Sequence, residues 1–167
     1  LTMFFQNSNL LLAFLRDHNT ARSVLDVFND LYAMFGRETY CRLFPVILTD
    51  RGSEFSNPVP IEQDENGELR SLVFYCNPSA PYQKGGVEVA HELVRRVLPK
   101  GKSFDDLQQE DIDLMLSHIN SYKRGKLNSR SAYQLFSFIY GNDILPKLNI
   151  HEIEPNDIVL SPKLLKK

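Results

Sequence analysis

The feature that most constrains the fold is a short apolar run that ends in an acidic residue and a glycine turn. Val46–Thr49 is followed at once by Asp50, Arg51 and Gly52. An apolar run of this length, bounded by turn signals, is typical of a strand buried on both faces. Functional groups gather at the carboxyl ends of such strands in open α/β sheets, so Asp50 lies where chemistry is expected. The alternative is an ordinary turn aspartate ahead of a glycine.

A second acidic residue opens an amphipathic segment later in the chain. Glu88 follows a glycine pair and begins a predicted helix that runs to about Leu98 and is stopped by Pro99. The glutamate would lie in the first turn, near the positive end of the helix dipole. Together with Asp50 it would bring two carboxylates from separate elements, a combination suited to holding divalent metal ions for phosphoryl transfer. A glutamate that only complements the helix dipole is the alternative.

Composition indicates one globular domain without a membrane span. The chain has 167 residues, of which 43% are hydrophobic and 24% charged, as is usual for soluble proteins. The apolar run at 10–15 meets Arg16 and Asp17 at once, and the first residues lack the pattern of a signal peptide. Cys41 and Cys76 match no metal spacing, so reduced thiols and a cytoplasmic location are expected. The net charge of −2 means that any DNA binding must come from local basic clusters.

The remaining signals predict a mixed α/β fold in which helices pack on a mixed sheet. Thr20 is a favourable N-cap, and Gly36 is a stop for the first helix. An Asn66-Gly67 pair between apolar residues predicts a β-hairpin within 58–70. The predicted elements are strands at 1–5, 10–16, 46–49 and 72–75, helices at 20–35, 39–43, 88–98, 110–121 and 131–140, a basic loop at 122–130 and an extended C-terminal stretch.

Several motifs in this order resemble the catalytic core of retroviral integrases and, within that superfamily, the transposases of bacterial insertion sequences. A D-x-G-x-E-F pattern alone is a weak signal, but here Q-K-G-x-x-E follows some three dozen residues later, and the matches cover nearly the whole chain. The matching stretches are Leu48–Phe55, Tyr75–Pro78, Pro81–Gly85 with Glu88, Arg95, Leu98–Gly101, Ile119–Ser121, Lys126–Asn128 and Tyr133–Phe136.

The resemblance implies a ribonuclease-H-like fold in which two aspartates and a glutamate hold two Mg²⁺ (or Mn²⁺) ions. Asp50 corresponds to the second aspartate and Glu88 to the glutamate. The first aspartate is expected on a strand ahead of residue 1, so residues 1–140 are predicted to be a catalytic core that lacks its first strand, and 141–167 a C-terminal extension. The candidates for the first aspartate inside the chain are Asp17, Asp26 and Asp30.

The family further implies an activity and its partners. The parent protein would cleave DNA at element ends and join the 3′-hydroxyl to target DNA, and it would act as a homo-oligomer associated with the nucleoid. This chain is expected to fold but not to cut DNA. Two alternatives stay open: a catalytically dead remnant that binds DNA or a protein partner, and a ribonuclease-H-like nuclease that only cuts.

Candidate DNA contacts fall in three places, each of which also has an ordinary structural interpretation. They are Lys84 in the glycine-rich connector, His91 and Arg95 on the Glu88 helix, and Lys123, Arg124 and Lys126 in the basic loop. Phosphate contacts of this kind position a protein on DNA without reading its sequence. The chain departs from the family pattern at Asn77, at Val89-Ala90 and at Ser131-Ala132. None of these departures removes a metal ligand, and together they are compatible with a decaying copy of the element.

Overall fold

The computed structural model describes residues 1–77 and 85–165, which form two compact units. One unit comprises Leu1–Leu15 and Lys84–Lys167, and the other comprises Arg16–Gln83. The elements are β1 (Thr2–Phe5), β2 (Leu10–Ala13), α1 (Ala21–Leu43), β3 (Val46–Thr49), α2 (Val59–Glu62), β4 (Leu72–Tyr75), α3 (Gly85–Val97), α4 (Gln109–Ser121), α5 (Ala132–Tyr140) and α6 (Ile144–Lys147). The mixed α/β class is confirmed.

The predicted mixed sheet is present as two separate two-stranded sheets. Strands β1 and β2 pair antiparallel in the first unit, and β3 and β4 pair parallel in the second. The domain boundary predicted near residue 140 stays a prediction. None of the helices in the described part of the chain is long and apolar enough to cross a membrane.

The first unit closes the outer edge of β2 with side chains from α4. Leu1 and Phe14 exchange both of their backbone hydrogen bonds at 2.7 Å, so the main-chain groups of Leu11 point away from β1. The Asn120 amide meets them there: its Oδ1 accepts the Leu11 N–H at 3.0 Å, and its Nδ2 donates to the Leu11 carbonyl at 2.8 Å. The side-chain amide of Gln109 forms a similar pair of hydrogen bonds further along the strand: its Oε1 accepts the Leu15 N–H, and its Nε2 donates to the Ala13 carbonyl. The opposite edge, at β1, carries no such cap in the described residues.

Helix α4 is the centre of the first unit. Nine of its residues are buried, and it contacts β2, α3 and α5. Because the helix is apolar or satisfied on nearly every side, it packs as a core helix and not as a surface one. The fully buried side chains of the first unit include Leu10, Leu12, Phe136, Leu145 and Ile150.

The C-terminal stretch is attached to α4 through polar side chains of that helix. The backbone N–H groups of His151 and Ile153 donate to Ser117 Oγ and Ser121 Oγ, and the Val159 N–H donates to His118 Nδ1 at 3.1 Å. The predicted extended tail is therefore only partly correct. It includes the helical turn α6 and two 3₁₀ turns, at Pro155–Asp157 and Pro162–Leu165.

The long helix α1 organises the second unit. Thr20 caps it and forms a capping box with Ser23, as its sequence predicts. Gly36, with φ of 72°, breaks the helical geometry, so α1 consists of the two predicted helical segments joined at that residue. Arg70, which is 4% exposed, lies over the rings of Tyr32 and Tyr40. Its guanidinium donates to backbone carbonyls of α2 and to the side chain of Asn29.

The parallel sheet of the second unit has one capped edge and, as far as the described residues show, one edge without a paired strand. The Val73 N–H on the outer side of β4 donates to Glu62 Oε1 at 2.9 Å. On β3, the register directs the main-chain groups of Val46 and Leu48 away from β4. The side chains of Val46 and Leu48 are 56% and 42% exposed. The expectation that this strand is buried on both faces is therefore wrong for one of its faces.

The predicted hairpin at 58–70 is also wrong in most of its length. Residues 59–62 form the helical turn α2, where Pro58 and Pro60 suit a helix start better than a strand. Only one bridge, between Gln63 and Leu69, remains of the hairpin. The turn itself is present: Asp64 Oδ1 accepts two backbone N–H groups, and Gly67 has a φ of 77°.

Candidate metal-binding and DNA-binding residues

Asp50 lies exposed at the carboxyl end of β3, where its sequence predicts it. The residue before it, Thr49, is buried, and its carbonyl accepts the N–H of Cys76 at 2.8 Å, which extends the parallel pairing to the end of both strands. Asp50 thus follows the last paired residue of β3. This position exposes a carboxylate on a fixed backbone, the arrangement that metal binding requires.

The turn after Asp50 is tightly held. Residues Ser53–Phe55 form a 3₁₀ turn, and the Tyr75 hydroxyl of β4 donates to the Phe55 carbonyl. The carboxylate of Glu54 folds back over Gly52, where an added Cβ would lie 2.5 Å from Oε2. Glycine at this position therefore leaves room for a second acidic side chain within the Asp50 turn.

Glu88 is exposed in the first turn of α3, which confirms the predicted helix and the position of the residue within it. The helix buries Ala90, Leu93 and Val97 and leaves Glu88 on the other side. In the described residues, Glu88 makes no ion pair within 4 Å. An ion pair with Arg95 on the same helix therefore does not hold the Glu88 carboxylate in place.

Two of the predicted DNA contacts lie on the same helix and differ in environment. His91 is half-buried, and its Nε2 lies 3.3 Å from the Thr2 hydroxyl of β1. Burial, together with the positive charge of Arg95, holds the pKa of His91 below its usual value. The ring is therefore neutral at neutral pH and serves as a hydrogen-bonding group. Arg95 is exposed and has no ion-pair partner in the described residues, so its charge is available to a ligand.

The basic loop presents Lys123 and Lys126 as exposed side chains, while Arg124 is partly buried. Two guanidinium nitrogens of Arg124, Nε and Nη2, are enclosed without a hydrogen-bond partner among the described residues. Lys84, the remaining predicted contact, lies outside the described residues.

The three candidates for a first aspartate inside the chain, Asp17, Asp26 and Asp30, form no three-residue metal site with Asp50 among the described residues. Asp17 and Asp30 are exposed, and Asp26 forms an exposed ion pair with Arg22 at 2.9 Å. Across residues 1–77 and 85–165, no three His, Cys, Asp or Glu side chains come together as a metal site. Asp50 and Glu88 belong to different units, and their joint binding of a metal ion stays a prediction.

Comparison with known proteins supports the resemblance. A transposase for insertion sequence element IS1086 of Cupriavidus metallidurans is 34% identical over 76 residues, which are 44% of this chain and 22% of that protein. A protein of Spiroplasma virus SpV1-R8A2 B named "Putative integrase ORF3" is 29% identical over 120 residues, 72% of this chain and 35% of that protein. The transposase for IS4351 of Bacteroides fragilis is 27% identical over 97 residues, covering 58% and 28%.

This chain is similar to insertion-sequence transposases. The predicted resemblance is confirmed, and the chain spans between about a fifth and a third of the length of these relatives. No family model matches the sequence, and no solved structure matches it.

Some residues of the transposase-like motifs form structural contacts that the sequence does not predict. Asn120 and Ser121 form part of a motif that supports the resemblance, and both hold backbone groups in place. Gly86 belongs to the predicted flexible connector, yet a Cβ there would lie 2.1 Å from Cε1 of Phe4. The close approach of α3 to β1 therefore requires glycine two residues before Glu88. In the sequence, the only indication of this close approach is the position of the glycine beside the start of a predicted helix.

Proposed function

We propose that this chain is a catalytic-core segment of a transposase whose parent protein cleaves DNA and joins 3′-hydroxyl ends to target DNA. The similarity to insertion-sequence transposases is the observation that carries the proposal. The exposed carboxylates of Asp50, at a strand end, and of Glu88, in a first helical turn, support it. Both are the hard oxygen ligands that Mg²⁺ and Mn²⁺ prefer.

In this proposal Asp50 and Glu88 hold the metal ions, two in the intact parent. Bound Mg²⁺ would act as a Lewis acid on a phosphodiester and favour a nucleophilic oxygen at neutral pH. The chain's own contribution is positional: the paired end of β3 fixes Asp50, and the Gly86 contact fixes the first turn of α3. Arg95 supplies a cation seven residues after Glu88, and Lys84, His91 and the basic loop supply further DNA contacts.

We infer a ribonuclease-H-like fold for the parent core. Two observations support it, one in each unit. In the first unit, β2 has its outer edge capped by Asn120 and Gln109, whereas no described residue pairs with the outer edge of β1. In the second, β4 is capped by Glu62, whereas no strand within 1–77 and 85–165 pairs with the outer edge of β3. An open edge offers main-chain groups that pair readily with another strand, and the resemblance expects a further strand that bears the first aspartate.

We also propose that this chain does not cut DNA when it is alone. The resemblance assigns metal binding to three carboxylates and matches two of them here. The lack of a three-residue metal site among the described residues favours the second candidate function for the isolated chain, a module that binds DNA without cleaving it.

The test combines binding and cleavage with wild type, Asp50→Asn and Glu88→Gln. Fluorescence anisotropy with a labelled DNA duplex is measured with and without Mg²⁺, and supercoiled plasmid is incubated in parallel. We expect Mg²⁺ to strengthen DNA binding by wild type, neither variant to respond, and no plasmid to be nicked. Efficient Mg²⁺-dependent nicking would refute the inactivity of the chain. An unchanged Mg²⁺ response in both variants would refute the assignment of the metal ligands.

A further inference from the structure

A pocket beside α5 has one charged group in its lining, and that group is negative. The pocket measures about 460 Å³ and opens to solvent. The ring of Phe138 is 84% exposed, although it lies on a helix that buries Ala132 and Phe136. An aromatic ring this exposed, beside a carboxylate, forms a surface suited to a cation. The residues that line the pocket are Tyr133, Gln134, Ser137, Phe138, Asn142 and Glu152.

The carboxylate in the pocket is held in place but has no cationic partner. Gln134 Nε2 donates to Glu152 Oε1 at 2.9 Å, and the Gln134 amide oxygen accepts the Ser131 N–H at the start of α5. Glu152 makes no ion pair within 4 Å in the described part of the chain. Burial, and then the negative charge of Glu152, raise the pKa of Tyr133, so its phenol is uncharged at neutral pH. The pocket therefore offers a positioned negative charge beside uncharged aromatic rings.

The surface around the pocket carries two adjacent segments of opposite charge. The basic loop at 122–130 includes four cations and no acidic residue, whereas residues 151–162 include three acidic residues and neither lysine nor arginine. The two segments meet where Lys123, Glu152 and Glu154 line a second cavity, of about 190 Å³. None of these charged side chains forms an ion pair with a described residue. Both segments therefore keep their charge for a partner.

A surface of this kind is complementary to itself. A two-fold axis that passes between the basic loop and the acidic segment places the basic loop of each copy against the acidic segment of the other. Each attractive contact is then made twice, and like charges stay apart. A partner of different sequence would need the same pattern of charge, whereas a second copy of this chain necessarily has it.

We propose that two copies of this chain associate through this surface, with Lys126 and Arg130 of each copy reaching the α5 pocket of the other. Both cations are exposed, whereas Lys123 lines a cavity on its own copy. In the pair, the cations meet the Glu152 carboxylate, and their apolar stems pack on the Phe138 ring. The inference does not rest on the proposed function, because it adds a protein partner to a chain whose proposed partner is DNA.

The test is sedimentation velocity over a range of protein concentrations, in EDTA and without DNA, so that neither a metal ion nor DNA brings copies together. Wild type should dimerise as its concentration rises. Glu152→Lys, and separately the double variant Lys126→Glu with Arg130→Glu, should each weaken dimerisation at least about tenfold, because each repulsive contact occurs twice. Glu65→Lys makes the same charge change at an exposed residue of the second unit and should dimerise like wild type.

An equimolar mixture of the two charge-reversed proteins separates this interface from any other. In a mixed pair, the reversed pocket of one copy faces the reversed loop of the other, and the second contact is that of wild type. The mixture should therefore form dimers at a concentration where neither protein does so alone. Phe138→Ala should weaken dimerisation as well, whereas its melting temperature at low concentration should stay close to that of wild type because the ring is exposed.

Three results would each overturn the proposal. They are a wild type that stays monomeric at every concentration, a mixture of the charge-reversed proteins that stays monomeric, and equal losses of dimerisation in Glu65→Lys and Glu152→Lys. None of them bears on DNA binding, which the anisotropy experiment tests separately.

Discussion

Replacing Asn120 by alanine tests the closure of β2 by a side-chain amide. Asn120 and Leu11 are both fully buried, and the amide satisfies both backbone groups of Leu11, at 3.0 Å and 2.8 Å. Alanine leaves a donor and an acceptor unpaired in the core. Each unsatisfied group costs about 1–3 kcal/mol, so the free energy of unfolding should fall by about 2–6 kcal/mol. This is a large part of the roughly 5–15 kcal/mol that holds a domain of ordinary size together.

The assay is urea denaturation followed by circular dichroism. Leu114→Ala is the control, because this residue lies on the same helix and is 41% exposed; its unfolding free energy should stay within about 0.5 kcal/mol of wild type. Asn120→Asp preserves the side-chain volume but removes the donor and buries a charge, so it should destabilise at least as much as alanine. If Asn120→Ala and Leu114→Ala unfold at the same urea concentration, the amide does not hold the strand, and the reasoning fails.

Two further changes test other contacts of the first unit. Gly86→Ala would place a Cβ 2.1 Å from the Phe4 ring and should lower the free energy of unfolding by about 1–3 kcal/mol through overpacking. The control is Gly125→Ala, whose Cβ meets nothing within 4 Å and whose melting temperature should be close to that of wild type. Equal melting temperatures of the two variants would contradict the contact. Burial lowers the pKa of His118, which accepts a hydrogen bond from Val159. The unfolded chain therefore takes up this proton first as the pH falls below about 6.5, and stability drops with it. His118→Asn keeps an acceptor that cannot be protonated, so its melting temperature should fall less than that of wild type between about pH 7.5 and 5.5; an identical fall would show that His118 plays no part.

Elements with strong local signals could be predicted from the sequence. Thr20 caps α1, and Gly36 breaks it, because both act within one helical turn of themselves. The strand that ends at Asp50 and the helix that presents Glu88 were likewise predictable from periodicity and turn residues. The hairpin at 58–70 was not, because its Asn-Gly signal competes with two prolines that begin a helical turn.

Contacts between distant parts of the chain could not be predicted in the same way. Asn120 and Leu11 are 109 residues apart, and no local pattern shows that an amide will pair with a strand edge. Gly86 belongs to the predicted glycine-rich connector, whereas the structure uses it for close packing against β1. The residue types of the candidate site are readable from motif spacing, but the groups that fix each side chain depend on tertiary contacts.

The most direct test of the central claim is whether Asp50 and Glu88 bind the same metal ion. Mn²⁺ is titrated into isotopically labelled protein, and the broadening of backbone amide signals is followed by NMR. We predict that the signals of Asp50 and Glu88 broaden together at the lowest Mn²⁺ concentrations, and that Asp50→Asn abolishes the broadening at Glu88. Broadening at Glu88 that persists unchanged in Asp50→Asn, or broadening that spares either residue in wild type, would contradict the account.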